Sequence, residues 1–112
     1  MDYTIEQIIP TTNKPCLYVD YNELLAFDTV MLSQSDTKAD YHGTPITLYE
    51  GMELIGYQED EDITGARDDI IMEGICIRNR TEHSPHVKWL LQSNNKGIRW
   101  ASDIISDITE EG

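Results

Sequence analysis

Residues 86–100, HVKWLLQSNNKGIRW, constrain the fold more than any other part of the chain. Val87, Trp89 and Leu91 fall on one face of an extended segment, and His86, Lys88, Leu90 and Gln92 on the other, which is the period of two that a strand imposes. Asn94-Asn95-Lys96-Gly97 follows, and an Asn-rich tetrad ending in glycine suits a type I turn whose last residue is left-handed. The spacing predicts an antiparallel hairpin with Val87, Trp89, Leu91 and Ile98 pointing inward.

Strand signals continue upstream. In DDIIMEGICIRN the isoleucines are mixed in spacing, and Gly74 at its centre would cost a helix roughly 1 kcal/mol relative to alanine. A strand bent at Gly74 is the better reading. ITLYEGMELIGYQE offers another such run, broken at Glu50-Gly51. The expected order is a strand over 52–58, a long acidic loop, a strand over 70–78, a TEHSP loop, strands over 86–92 and 98–100, a short ASD turn and a final short strand or helix, IISDI. Before residue 50, CLYV reads as a strand. Asp20-x-x-Glu23 reads as a capping box for one or two helical turns, and VMLS and PITL as a hairpin around DYHG.

That order of elements over residues 51–109 resembles the SH3-like small β-barrels: a long first loop, a medium second loop, a tight distal hairpin, a 3₁₀ turn and a closing strand. The likeness is one of topology and loop length. The family's Ala-Leu-Tyr-Asp-Tyr stretch is absent, since the corresponding strand reads MELIGYQE, and of its paired tryptophans only Trp89 is near. The resemblance therefore implies a fold and no peptide-binding residues. The expected architecture is mainly β: a single domain over 1–112, with an SH3-like barrel at 51–109 and an acidic tail at 110–112. Residues 1–50 form an N-terminal extension packed on the barrel, holding at most a short helix and a hairpin.

Charge narrows the function. The chain carries 21 Asp and Glu against 8 Lys and Arg, a net charge of −13. A field of that sign repels a phosphate backbone, so nucleic acid is not an expected partner. No run of 18 apolar residues exists, and the N-terminus MDYTIEQIIP carries acids where a signal peptide carries bases, so neither a membrane span nor export is expected. The expected compartment is the cytoplasm, where Cys16 and Cys76 act as small buried hydrophobes. The bases are unevenly placed: Arg78, Arg80, Lys88, Lys96 and Arg99 stand against Glu82 alone in residues 78–99.

The segment EDEDITGARDD, residues 59–69, concentrates the acids. Read as a calcium loop, Asp60, Asp62, Thr64 and Asp68 fill positions 1, 3, 5 and 9, with Gly65 at the sharp turn. Ile71 stands where the closing bidentate Glu belongs, however, and the flanks read as strands. His83 and His86 near Cys76 make one pair where structural zinc wants two. No phosphate loop, nucleophile elbow or triad spacing is present, and no cofactor is implied. The expected function is a non-enzymatic interaction module that docks a basic protein partner, inhibition of a basic effector being one form of that task. Its expected contact residues are Tyr57, Glu59, Asp60, Glu61, Asp62, Asp68 and Asp69, with Tyr57 as the apolar anchor. A calcium-responsive regulatory or structural domain is the alternative, and a small enzyme of unnamed class the third reading. Trp100, beside Arg99, is a further candidate anchor.

Overall fold

A computed structural model describes residues 1–82 and 84–111, with side chains described through Thr109. The chain is mainly β, with a short N-terminal helix. Six strands form one curled sheet, a half-barrel, in the order β1-β6-β7-β8-β3-β2, and β4 and β5 form a separate ribbon. The strands are β1 Cys16–Tyr18, β2 Leu24–Ala26, β3 Thr29–Ser33, β4 Thr37–Ala39, β5 Pro45–Thr47, β6 Glu53–Gln58, β7 Ile70–Arg78 and β8 Trp89–Trp100. Helix α1 spans Ile5–Ile8 and runs into a 3₁₀ turn at Ile9–Thr11, and α2 spans Ala101–Glu111. Among the described residues no helix is long and apolar enough to cross a membrane.

Alternation along the strands sorts the core into two layers. Leu17, Leu54 and Met72 join Val30, Leu32, Trp89 and Leu91 on one face, closed by Ile46 and Leu48 from the β4–β5 ribbon and its exit. Their sequence neighbours Cys16, Ile55 and Ile71 point to the opposite face and pack against Ile5, Ile8 and Ala101, with Ile104 and Ile105 of α2 beside them. A period of two thus serves both sides of the sheet, because helices cover the face that would otherwise be wet.

The central pair β7 and β8 places one strict demand on the sequence. A Cβ on Gly74 would lie 2.0 Å from the carbonyl oxygen of Gln92, so the two backbones approach as only glycine permits. Strand β7 itself occupies the 70–78 interval read from the isoleucine run, and β6 fills 53–58 of the expected 52–58.

The expected hairpin at 94–97 is not formed. Strand β8 runs unbroken from Trp89 to Trp100 beside β7, pairing Gly74 with Ser93 and Met72 with Ile98, so residues 94–97 are looped out as a long bulge. The local turn chemistry is that implied by the sequence: Gly97 is left-handed at φ 68° and the Asn94 side chain accepts from the Lys96 amide at 2.9 Å. It does not reverse the chain, which resumes its direction because the partner strand is β7 on both sides of the bulge. Ile98 is 40% exposed instead of inward. VMLS likewise does not pair with PITL. It forms β3 against β8, while the DYHG turn joins β4 to β5 with Thr37 opposite Thr47. Because β1, β2 and β3 all enter the main sheet, the first 50 residues supply half of its strands and do more than pack on it.

Candidate docking surface: the acidic loop

Between β6 and β7 the chain forms a narrow hairpin of its own. The Asp68 amide donates to the Asp60 carbonyl at 3.0 Å, the Asp62 amide to the Ala66 carbonyl at 2.8 Å, and Glu61 bridges to Arg67. The tip is tied by one carboxylate: Asp62 Oδ1 accepts from the Thr64 amide at 2.8 Å, the Thr64 hydroxyl at 2.6 Å and the Ala66 amide at 3.2 Å. Those donors, the Thr64 hydroxyl foremost, hold the Asp62 carboxyl below the usual carboxylate range. Gly65 completes the turn at φ 86°. The residue between the turn's anchors, Ile63, is fully exposed.

The base of the loop faces inward. Asp69 is fully buried and accepts from the Ile5 amide at 2.8 Å and from Arg67 Nη2 at 2.8 Å. Arg67 also reaches Glu6 at 3.4 Å and Glu59 at 3.7 Å, so one guanidinium balances three carboxylates. Asp68 caps the first turn of α2, its two oxygens taken by the Ser102 amide at 2.9 Å and hydroxyl at 2.6 Å. Both residues were expected on the docking face. Instead their carboxylates hold the N-terminal segment and α2 to the loop. With Asp68 turned to α2, the candidate calcium ligands Asp60, Asp62, Thr64 and Asp68 do not converge, and no three His, Cys, Asp or Glu side chains group as metal ligands among the described residues. His83 lies outside the described residues.

Four acids remain on the outer part: Glu59, Glu61 and Asp62 are exposed and Asp60 is half-buried. Together with Arg67, the first three of the segment, Glu59, Asp60 and Glu61, line an open concavity of about 380 Å³. Tyr57 stands at the foot of the loop, as expected, but not alone. Its ring meets Tyr18 edge-on at 6.0 Å and Tyr41 at 5.9 Å, and the Tyr41 hydroxyl donates to Glu6 at 2.9 Å. Burial and then the nearby Glu59 charge push the Tyr57 hydroxyl up. Nothing local in the sequence singles out Ile63, Arg67 or this tyrosine cluster. A lone isoleucine between Asp62 and Thr64 carries no periodic signal, and Tyr18 and Tyr41 reach Tyr57 only through the parallel β1–β6 pairing and the bond from the Tyr41 amide to the Cys16 carbonyl.

Four of the five bases in residues 78–99 are engaged internally. Lys88 pairs with Asp36 at 2.8 Å, Arg80 bonds Glu50 at 2.9 Å, Arg99 pairs with Asp107, and Arg78 lies 5.5 Å over the Trp89 ring. One grouping has an enzymatic look: Cys16, Asp40 and His42 line a common cavity of about 360 Å³. Burial and the Asp40 charge push the Cys16 thiol up to about 11, however, the opposite of what a nucleophile needs. Comparison of the chain with protein-family models, with curated proteins and with solved structures finds no match.

Proposed function

We propose that the chain is a non-enzymatic, acidic docking module whose loop, residues 59–69, engages a basic protein. The observation that carries this reading is the loop's preorganisation. Asp62 ties the tip with three hydrogen bonds while Glu59, Glu61 and Asp62 stay exposed around a fully exposed Ile63. A rigid loop loses little conformational entropy on binding, which is where much of the cost of association lies. Exposed ion pairs contribute only about 0–1 kcal/mol each, so the carboxylates set the on-rate and salt dependence. Affinity then has to come from apolar contact, for which Ile63 at the tip and the Tyr18–Tyr57–Tyr41 cluster at the foot are placed. The SH3-like order of strand, long loop and strand belongs to the same reading, as does a cytoplasmic setting in which the module restrains a basic effector.

The test is capture from the native host with three baits: the wild type, the variant carrying Glu59→Gln, Asp60→Asn, Glu61→Gln and Asp62→Asn, and Ile63→Ser. Capture should be lost with the fourfold variant, weakened with Ile63→Ser, and reduced for the wild type at about 0.5 M salt, where screening shortens to roughly 4 Å. A partner held equally by all three baits would place the docking site elsewhere, and the segment carrying Arg78, Arg80, Lys88 and Arg99 would be the surface to test next.

A further inference from the structure

A concavity of about 420 Å³ opens where strand β4 and the exit of β3 meet the residues that follow β1, and it shares no lining residue with the acidic loop. Lys38 of β4 stands in its wall. Ser33, Ser35 and His86 line it as well, together with two carboxylates, Asp20 and Glu23. Lys38 is the one Lys or Arg among the described lining residues, so acid is in excess there.

An irregularity of the main sheet sets where the lysine sits. In the pairing of β3 with β8 the register passes from Met31 opposite Leu90 to Ser33 opposite Trp89, and Leu32 is skipped. Such a bulge takes a residue out of the ladder. The Lys38 side chain fills that gap, donating to the Leu32 carbonyl at 2.7 Å. Lys14 and Lys88 have carboxylate partners, whereas Lys38, half-buried, makes no ion pair among the described residues. Burial pushes its pKa below the ordinary lysine value, and the Glu23 charge opposes that shift only in part. Losing the proton does not cost the bond to Leu32, because a neutral amine still donates one N–H while its lone pair is free. A desolvated lysine amine facing an open cavity is equipped to attack a carbonyl.

We propose that the concavity takes a small neutral aldehyde as an imine on Lys38 Nζ. The nitrogen lone pair adds to the carbonyl carbon to give a carbinolamine, the C–O bond breaks, and the two protons of the amine leave with that oxygen as water. No oxidant or reductant is needed. Once protonated, the imine keeps a positive charge opposite Asp20 and Glu23, whereas acylation of the same nitrogen would remove it and leave both acids uncompensated. The excess of acid also disfavours an aldehyde that carries a carboxylate or phosphate. The volume lies within the roughly 300–1,000 Å³ of small-molecule sites.

The probes are benzaldehyde and, as its anionic counterpart, glyoxylate, each given to the native full chain at neutral pH with cyanoborohydride to trap the imine as a stable amine. Peptide mass spectrometry then locates the label. Lys14, Lys88 and Lys96 serve as standards within the same molecule, so no variant has to fold. With benzaldehyde, Lys38 should be alkylated several-fold faster than exposed Lys96. The preference should vanish in urea, where burial is lost, and glyoxylate should not show it. Labelling of native Lys38 no faster than Lys96 would overturn the proposal. So would a preference that survives in urea, which would belong to the local sequence and not to the cavity. An equal preference with glyoxylate would overturn the assignment of a neutral aldehyde.

Discussion

Trp89 is held from three directions. Its ring is buried among Leu17, Val30 and Leu91, its indole N–H donates to Asp36 Oδ1 at 2.9 Å, and Arg78 lies over the ring. Removing it empties the layer between the sheet and the β4–β5 ribbon, so Trp89→Ala should cost about 3–5 kcal/mol in urea melts. A loss under about 1 kcal/mol would mean that the ring does not pack as described. The two cysteines permit a pH prediction at the same scale. Burial pushes both thiols from 9.0 up to about 11. Below pH 9 the thiols are protonated in folded and unfolded chains alike. As pH rises from 9 through 11 only the unfolded chain ionises freely, so stability should fall across that window. Half-buried Tyr21, also pushed up by desolvation, adds to the same trend. Native Cys16 and Cys76 should resist iodoacetamide at pH 8 and react at once in urea, and rapid alkylation of the folded chain would contradict their burial.

At the scale of elements, the acidic loop and the N-terminal segment hold each other. The Tyr3 amide donates to the Arg67 carbonyl at 2.7 Å, the Asp69 amide returns a bond to the Tyr3 carbonyl at 3.0 Å, and Asp69 reaches both Ile5 and Arg67 through its side chain. Asp69→Asn should therefore cost about 3 kcal/mol, as expected when one partner of a buried pair is lost. Hydrogen exchange should show the Tyr3 and Ile5 amides losing protection first. Asp60→Asn, at a side chain without such partners, should stay within about 0.5 kcal/mol. Equal effects of the two would remove Asp69 from its structural role. This division within one run of acids marks the limit of what the sequence discloses. The strands β6 and β7 were legible because apolar spacing and Gly74 are local signals. The bulge at 94–97, the pairing of β3 with β8, and the parallel β1–β6 contact were not, since each depends on which distant strand arrives alongside. For the same reason Asp68 and Asp69 are indistinguishable from Glu61 and Asp62 by composition. They differ only in that α2 and α1 come to rest against them.

For the whole molecule the governing quantity is the excess of 13 negative charges. Five of the eight basic residues, Lys14, Arg67, Arg80, Lys88 and Arg99, already have acidic partners, so the uncompensated acids repel one another across the surface. Two effects of salt then compete. Screening weakens the ion pairs, most of them partly exposed and worth about 0–1 kcal/mol each, and it also weakens the repulsion, which involves many more pairs at longer range. Because the acids outnumber the bases by 21 to 8, relief of repulsion should prevail, and the melting temperature should rise between about 0.02 and 0.3 M sodium chloride, where the Debye length shortens severalfold. Neutralising Glu59, Asp60 and Glu61 as amides should raise it at low salt and flatten the salt response. Asp62 is left intact in this variant because its carboxylate ties the loop tip. On the proposed docking role, the same variant should bind a basic protein more slowly, so that stability and docking would move in opposite directions, as they do where a surface is kept strained for binding. A melting temperature that falls with salt in the wild type would mean that the ion pairs dominate. The acidic surplus would then be no store of repulsion for a partner to relieve.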